Sequence, residues 1–222
     1  AAGAPAVAAA AARDVAAPRG ARSLAEAAAD GPTAPILPVA AGDDGRHAVP
    51  RVDADAALAA AVEGAGRAEP RATLSVTVGG ERATRAVLDA TLMTVEPARI
   101  SEYASFEPAA PVPIGRVRAD GVVVATPAGS SGYARAAGGA VLASGAGLSV
   151  VPVSPFATAT ETWVLDDEVI ARVERDDCDV RLIADGEVAE VVPPNTDIHI
   201  AVDGRVPFLR VPLPERSRRA RC

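Results

Sequence analysis

Apolar and polar positions along the chain follow two rhythms, which change over near Arg71. Before it the sequence is Ala-rich and carries two helix signals. Ser23 with Glu26 three residues on has the form of a capping box, and 53–61 places Asp53 as N-cap ahead of Ala and Leu positions. Between them, 35–39 is a short apolar run that reads as a parallel strand, weakened by Pro38, which has no N–H to give a ladder. Asp43, Asp44 and Gly45 form a turn.

After Arg71 the spacing shortens to period two, broken by turn residues. The run 73–78 alternates and ends at Gly79-Gly80, a hairpin-like turn. Strands are predicted at 85–93, 100–106, 112–117, 148–153, 168–173, 180–183, 198–202 and 208–211. The run Val122-Val123-Val124-Ala125 is apolar throughout and predicts a strand buried on both faces. Asp120-Gly121, Asp185-Gly186 and Asp203-Gly204 read as turns between strands. The outline is an α+β or α/β two-part architecture, a small α/β part followed by a larger all-β part.

Composition narrows the chemistry. Of 222 residues, 49% are hydrophobic but only 3% aromatic, so the core is built from Ala, Val, Leu and Ile. Lys is absent, and 22 basic against 29 acidic residues leave a net charge of −7, which argues against a nucleic-acid-binding face. Cys178 and Cys222 are far apart and have no metal-ligand spacing, so neither a disulfide framework nor a metal site is indicated. No apolar run is long enough to span a membrane. The Ala-rich start lacks the basic beginning and Leu-rich centre of a signal peptide, and a cytoplasmic location is the expectation.

The chemistry concentrates in 118–139. There the Val-rich strand runs into Thr126-Pro127-Ala128-Gly129-Ser130-Ser131-Gly132-Tyr133 and then small residues ending at Gly138-Gly139. A hydroxyl-rich turn at a strand end can converge N–H and O–H groups on a polar ligand, with Gly129 and Gly132 allowing close approach. The same turn is also an ordinary connection between strands. It is not the G-x-S-x-G elbow of serine hydrolases. His47 and His199 stand in no catalytic arrangement.

The whole string resembles the DG…TPTGSTAYSLSAGG segment of the NAD kinase family. The resemblance extends from about residue 35 to about 211. Residues 35–42 with Gly45 are similar to PILGINAGxLG, and 86–89 falls on Ala-Leu-Asn-Asp/Glu, with Asp89 as the acid and Leu88 where Asn is usual. Arg118 and Asp120 match the Arg/Lys-x-Asp-Gly pair, Ser131-Gly132-Tyr133 matches Thr-Ala-Tyr, and Val153-Ser154-Pro155-Phe156 is similar to Cys-Pro-His with Phe156 at the His position. Ala184-Asp185-Gly186-Glu187 is similar to Val-Asp-Gly-Gln, with Glu187 at the Gln. The family's Gly-Gly-Asp-Gly motif is lacking: by spacing it falls on 19–23, with Ala21 where the catalytic Asp belongs.

What the resemblance implies is definite. The fold is a short, incomplete Rossmann-like α/β part over 1–66 and a dinucleotide-binding β-sandwich over 67–204. Residues 205–222 are a strand returning to the N-terminal part plus an Arg-rich tail. The activity is ATP-dependent phosphorylation of the NAD 2′-hydroxyl to NADP, with NAD, ATP and Mg²⁺ brought by ATP. The binding residues are Asp89, Arg99, Arg118, Asp120, Ser131, Gly132, Tyr133 and Glu187, with Arg135 a further phosphate candidate and no protein metal site. With Ala21 unable to accept a proton, Asp43 and Asp44 are the substitute base candidates. Partners are NAD(P), ATP and a second copy of the chain in a dimer or tetramer, with no nucleic acid and no membrane. Two alternatives stand beside this: an NAD(P)-binding sensor or regulatory homologue without catalysis, and a β-rich assembly module. The bland readings are turns for Asp120 and Asp185, solvated surface for Arg99, Arg118 and Arg135, and core packing for Tyr133. Asp89, among small apolar residues, has no comfortable structural reading, because a carboxylate there needs a partner.

Overall fold

The computed structural model describes residues 24, 26–28, 34–39, 48–96, 100–108, 112–157, 160–175 and 179–213. Ser23, Asp43, Asp44, Arg99, Cys178 and the stretch around Ala21 lie outside them. The chain divides into two compact units, 72–205 and a smaller one formed from 1–71 and 206–222.

In the smaller unit, Leu24 and 26–28 are helical, with Leu24 fully buried. Helix α1 (Ala54–Val62) follows a 3-10 turn, Arg51–Asp53. Asp53 holds the N-cap position, but its side chain makes no capping bond and its Oδ2 is buried without a hydrogen-bond partner. The turn itself is closed by Asp53 N–H donating to Pro50 O at 2.9 Å. The strand expected over 35–39 is instead two isolated parallel bridges, Ile36 with Phe208 and Val39 with Val49. Pro35 and Pro38 have no N–H to give a ladder; Ile36 N–H donates to Pro207 O at 2.8 Å, Ile36 O accepts Leu209 N at 2.7 Å and Pro38 O accepts Val49 N at 2.7 Å. Leu37, Val39, Val49, Ala57, Ala61 and Leu209 form the core of this unit.

The larger unit is a two-sheet β-sandwich. One six-stranded sheet has the order β2-β1-β12-β9-β4-β5 and the other β11-β10-β3-β6-β7-β8. The strands are β1 (Arg67–Val78), β2 (Glu81–Ala86), β3 (Asp89–Thr94), β4 (Ser101–Phe106), β5 (Gly115–Ala119) and β6 (Gly121–Ala125). They continue with β7 (Leu148–Val153), β8 (Trp163–Leu165), β9 (Glu168–Arg175), β10 (Val180–Ala184), β11 (Glu187–Val192) and β12 (Asp197–Arg210). Strands β1 and β12 contribute residues to both units. Alternate side chains of the two sheets meet in one core that includes Leu74, Leu92, Tyr103, Val122, Val124, Val150 and Ile200.

Several expectations change. The single strand expected over 85–93 is two strands in different sheets: Val87 and Leu88 are both buried, which breaks period two, and the chain crosses between sheets there. Asp120-Gly121 is a second such crossing, from β5 to β6, rather than a hairpin turn. Asp203-Gly204 is no turn either. It lies inside β12, where Asp203 accepts from Thr73 Oγ1 (3.3 Å), Arg82 Nη2 (3.0 Å) and Arg85 Nη2 (3.1 Å). A Cβ on Gly204 would stand 3.1 Å from Thr73 Oγ1 and 3.2 Å from Arg85 Nη2, so glycine serves a close approach there. The expected strands at 198–202 and 208–211 are therefore one. The strand expected at 112–117 begins later, at Gly115, with Val112 exposed. Two strands had no sequence signal: β8, of three residues, and the edge strand β11, whose Val188 and Val191 face solvent.

Gly115 receives the ring of Trp163, the chain's one tryptophan; an added Cβ would sit 2.3 Å from Cζ2 and 2.5 Å from Cη2. Gly115→Val must push that ring out. The expected result is a loss of about 1–3 kcal/mol of stability from overpacking, with a red-shifted Trp emission in the folded state, read by denaturant titration and fluorescence.

Candidate functional site

The crossing between β2 and β3 exposes six backbone polar groups, on Val87, Leu88 and Asp89, that no ladder within β2 serves. Two residues from elsewhere satisfy all of them. Asp185 accepts Val87 N at 2.8 Å on Oδ2, and Leu88 N at 2.7 Å and Asp89 N at 3.1 Å on Oδ1, while its own N–H donates to Asp89 O at 3.0 Å. Thr126 Oγ1 donates to Val87 O at 2.7 Å, with Leu88 O at 3.2 Å, and Thr126 N–H donates to Leu88 O at 2.9 Å. Asp185 is buried although it occupies a hairpin turn. With φ 50 at Asp185 and φ 87 at Gly186, the two are the central pair of a two-residue turn of primed type between β10 and β11, which Asp-Gly favours. The turn was expected, and the inward use of its carboxylate was not.

The 126–132 turn is built onto this corner. Thr126 Oγ1 accepts Gly129 N at 3.2 Å, and a Cβ on Gly129 would lie 2.0 Å from Leu88 O, so only glycine fits against the crossing. Ser130 Oγ donates to Pro127 O at 2.8 Å and accepts Leu142 N at 2.9 Å, which ties the far end of the loop down. Ser131 is buried and Gly132 half-buried. Helix α2 (Tyr133–Ala136) follows and packs on the outer face of β6 and β7: Ala134 and Ala137 meet Val123, Ala125, Val151 and Val153. That cover explains why 122–125 is apolar at every position. Tyr133 is 42% exposed, not a core aromatic.

The second crossing holds Arg118 and Asp120. Asp120 O accepts Thr94 N (2.9 Å), Thr94 Oγ1 (2.8 Å) and Tyr103 OH (3.3 Å), and Asp120 N–H donates to Val153 O (3.0 Å). Arg118 is exposed, and its O accepts Phe156 N at 2.7 Å. Phe156, 72% exposed, therefore stands beside Arg118 after the left-handed Ser154 (φ 48); exposure of so large an apolar ring could have been flagged from its place in the Val-Ser-Pro-Phe loop. Asp89 opposes Ala125 and Gly121 opposes Met93 in the β3–β6 ladder. Asp89 and Asp120 thus lie at opposite ends of β6, roughly 16 Å apart at strand rise.

Both carboxylates act electrically on Tyr133. Burial, then the charges of Asp89 and of Asp120, hold its phenol above the ordinary value. Burial and the neighbouring Asp185 push the Asp89 carboxyl up to about 6, against the pull of Thr91 Oγ1, which donates to Asp89 Oδ1 at 3.2 Å. Burial also pushes Asp185 up, opposed by its three N–H donors. Glu187 is exposed at the start of β11, next to the Asp185 turn, and Arg135 is exposed on α2. Among the described residues no group of three or more His, Cys, Asp or Glu side chains is placed to hold a metal ion. No helix among them is long and apolar enough to cross a membrane.

Fold and site define a two-sheet β domain whose crossing corners bring carboxylates and a hydroxyl-rich turn to one sheet. Comparison with known proteins gives the lineage. The ATP-NAD kinase C-terminal domain matches residues 94–210. An NAD kinase of Methanosarcina barkeri is 32% identical over 120 residues, 53% of this chain and 43% of that protein. One of Thermomicrobium roseum is 43% identical over 70 residues, 31% of this chain and 24% of that protein. The fold is similar to yeast NADH kinase complexed with NADH (TM-score 0.72, 17% identity, 89% of this chain and 61% of that one). It is also similar to an Archaeoglobus fulgidus NAD kinase in complex with ATP (TM-score 0.65, 22% identity, 92% and 79%). The chain belongs to the NAD kinase family, and it spans under half the length of the Methanosarcina barkeri relative.

The Asp89 carboxyl fixes a pH dependence. Its folded value lies above the unfolded one, so the stability it contributes is present below about pH 4 and is lost as pH rises through about 6, a change of about 3 kcal/mol. Asp89→Asn is expected to flatten that slope and raise the unfolding midpoint at pH 7, measured by thermal melts from pH 4 to 8.

Proposed function

We propose that the chain is an NAD kinase-type phosphotransferase that binds NAD along the Asp89–Tyr133–Asp120 face and, with ATP, phosphorylates its 2′-hydroxyl to give NADP. The observation that carries the reading is Asp89. A carboxylate buried beside another carboxylate weakens the fold at neutral pH, and a site with a ligand to meet accounts for its presence. The half-exposed Tyr133 ring offers a base a stacking face. Asp89 and Asp120 accept hydrogen bonds from amino or hydroxyl groups, and their separation suits an extended ligand. Arg118, Arg99 and Arg135 meet phosphates with forked geometry. Ser131 and Gly132 line the turn, and Glu187 stands at the adjoining hairpin. The NADH and ATP complexes of the structural neighbours support this ligand class.

Phosphoryl transfer to the 2′-oxygen needs in-line positioning, charge neutralisation and an acceptor for the hydroxyl proton. Mg²⁺ would come with the ATP phosphates. Asp43 and Asp44 are the acceptor candidates in this chain. The reading also takes 67–204 as the dinucleotide-binding domain, and a cytoplasmic homo-oligomer as the working form. A second reading is favoured by one observation: Ala21 stands where the family's catalytic Asp is expected, which fits a homologue that binds NAD(P) without turning it over.

Calorimetry with NAD and NADP, followed by a coupled NADP-formation assay with ATP and Mg²⁺, tests both. Saturable binding with turnover establishes the kinase. Binding without turnover establishes the second reading, and restoring Asp by Ala21→Asp then raises the rate. Absence of binding to a folded protein leaves a β-rich assembly module. Tyr133→Ala is expected to weaken NAD binding at least about tenfold while stability stays within about 0.5 kcal/mol, the usual range for an exposed position.

A further inference from the structure

Asp185 lies 96 positions from Asp89 in sequence, in the turn of the β10–β11 hairpin, and yet the two are locked to each other in both directions. Asp89 N–H donates to Asp185 Oδ1 at 3.1 Å, and Asp185 N–H donates to Asp89 O at 3.0 Å. Two more N–H groups, of Val87 and Leu88, fill the same carboxylate at 2.8 and 2.7 Å. All three of these partners of the Asp185 carboxylate are donors, the environment of an ionised carboxylate. A β10–β11 turn needs no such arrangement, since Asp-Gly closes it through backbone geometry alone.

We propose that Asp185 is the positioning residue of the dinucleotide site: it gathers the backbone N–H groups of residues 87–89 and so fixes where the Asp89 carboxylate stands. This rests on the reading that Asp89 contacts the dinucleotide. The direction of the Asp89 side chain follows from its Cα–Cβ bond, which is set by the two peptide planes flanking it. Asp185 holds the N–H of one and the C=O of the other. Its charge also opposes ionisation of Asp89, so affinity for an NAD-like ligand carries a pH dependence through this pair. The other groups facing Asp89 are the Thr91 hydroxyl from β3, which favours the ionised form, and the Tyr133 phenol from α2, which feels both Asp89 and Asp120.

The experiment compares the full chain with Asp185→Asn, Asp89→Asn and the double variant. It uses NAD calorimetry from pH 5 to 8 and carboxyl-carbon NMR titration with ¹³C-labelled Asp. Asp185→Asn is expected to weaken NAD binding about tenfold or more at pH 7.5 and to bring the Asp89 titration down from near 6 toward the ordinary carboxylate range. In the Asp89→Asn background the same change is expected to cost little further affinity. An equal loss in both backgrounds, or an Asp89 titration that does not move, overturns the proposal. If Asp185→Asn does not fold, the unsubstituted protein decides: each carboxyl resonance is expected to show a second inflection at its neighbour's titration, and independent single-step curves overturn the coupling. A wild-type chain that binds no NAD overturns the site reading itself, and the carboxyl titrations still report separately on the Asp185–Asp89 pair.

Discussion

The larger unit depends on how a chain passes from one sheet to the other without leaving its backbone unpaired. A crossing strand loses its neighbours on one sheet before it gains those of the next, and each buried N–H or C=O left open there costs about 1–3 kcal/mol. Between β2 and β3 the whole debt falls on three residues, and Asp185 and Thr126 meet it. The donors of the corner go to a carboxylate, which when ionised only accepts, and the acceptors go to a hydroxyl and two peptide N–H groups.

That solution has electrical consequences. An apolar corner would need no buried charge, but a carboxylate is the side chain that accepts three N–H groups at once. Once Asp185 is there, any acid at the end of β3 is held beside a like charge in a poorly solvated place, and Asp89 is that acid. The structural requirement of the crossing thereby adds to the burial that pushes the Asp89 carboxyl up to about 6. At the other crossing the backbone of Asp120 is met by Thr94, Tyr103 and Val153, so its carboxylate is released from structural duty. The two acids stand at opposite ends of β6, one beside a like charge and the other at a crossing whose backbone is paired without its carboxylate.

How much of this could be read in the sequence follows from how local each determinant is. β7 was legible to the residue because 148–153 is apolar at every position but Ser149, and the 122–125 run, apolar throughout, was legible for the same reason. The corner at 87–88 was not, since Val87-Leu88 continues an apolar pattern and the partner that ends the strand lies almost a hundred residues on. Among the described residues, Asp-Gly dipeptides misled in two of three places. Asp185-Gly186 is a turn, while Asp120-Gly121 is a crossing and Asp203-Gly204 sits within β12, where glycine is needed for room and Asp203 for Arg82 and Arg85. Asp89, Asp120 and Tyr133 were picked out through the family resemblance. Asp185 and Thr126 were passed over as carriers of the site because their partners are backbone atoms, which no motif displays.

The chain's poverty in large side chains then acquires a purpose. A four-residue helix is too short to hold itself, so α2 persists only by lying close on the sheet. Ala134 and Ala137 permit that approach over Val123 and Val151, and Gly139 extends it: a Cβ there would stand 2.6 Å from Val151 Cγ2 and 2.9 Å from Ala134 O. Gly129 does the same where the preceding turn meets Leu88. Larger residues at any of these positions would lift the turn and helix off the sheet, and Tyr133, the first helical residue, would move with them. Small residues therefore set the height of the aromatic ring above β6 as firmly as Asp185 sets the position of the carboxylate beside it. The two halves of the candidate site are built by opposite means, one by removing atoms and the other by filling every hydrogen bond.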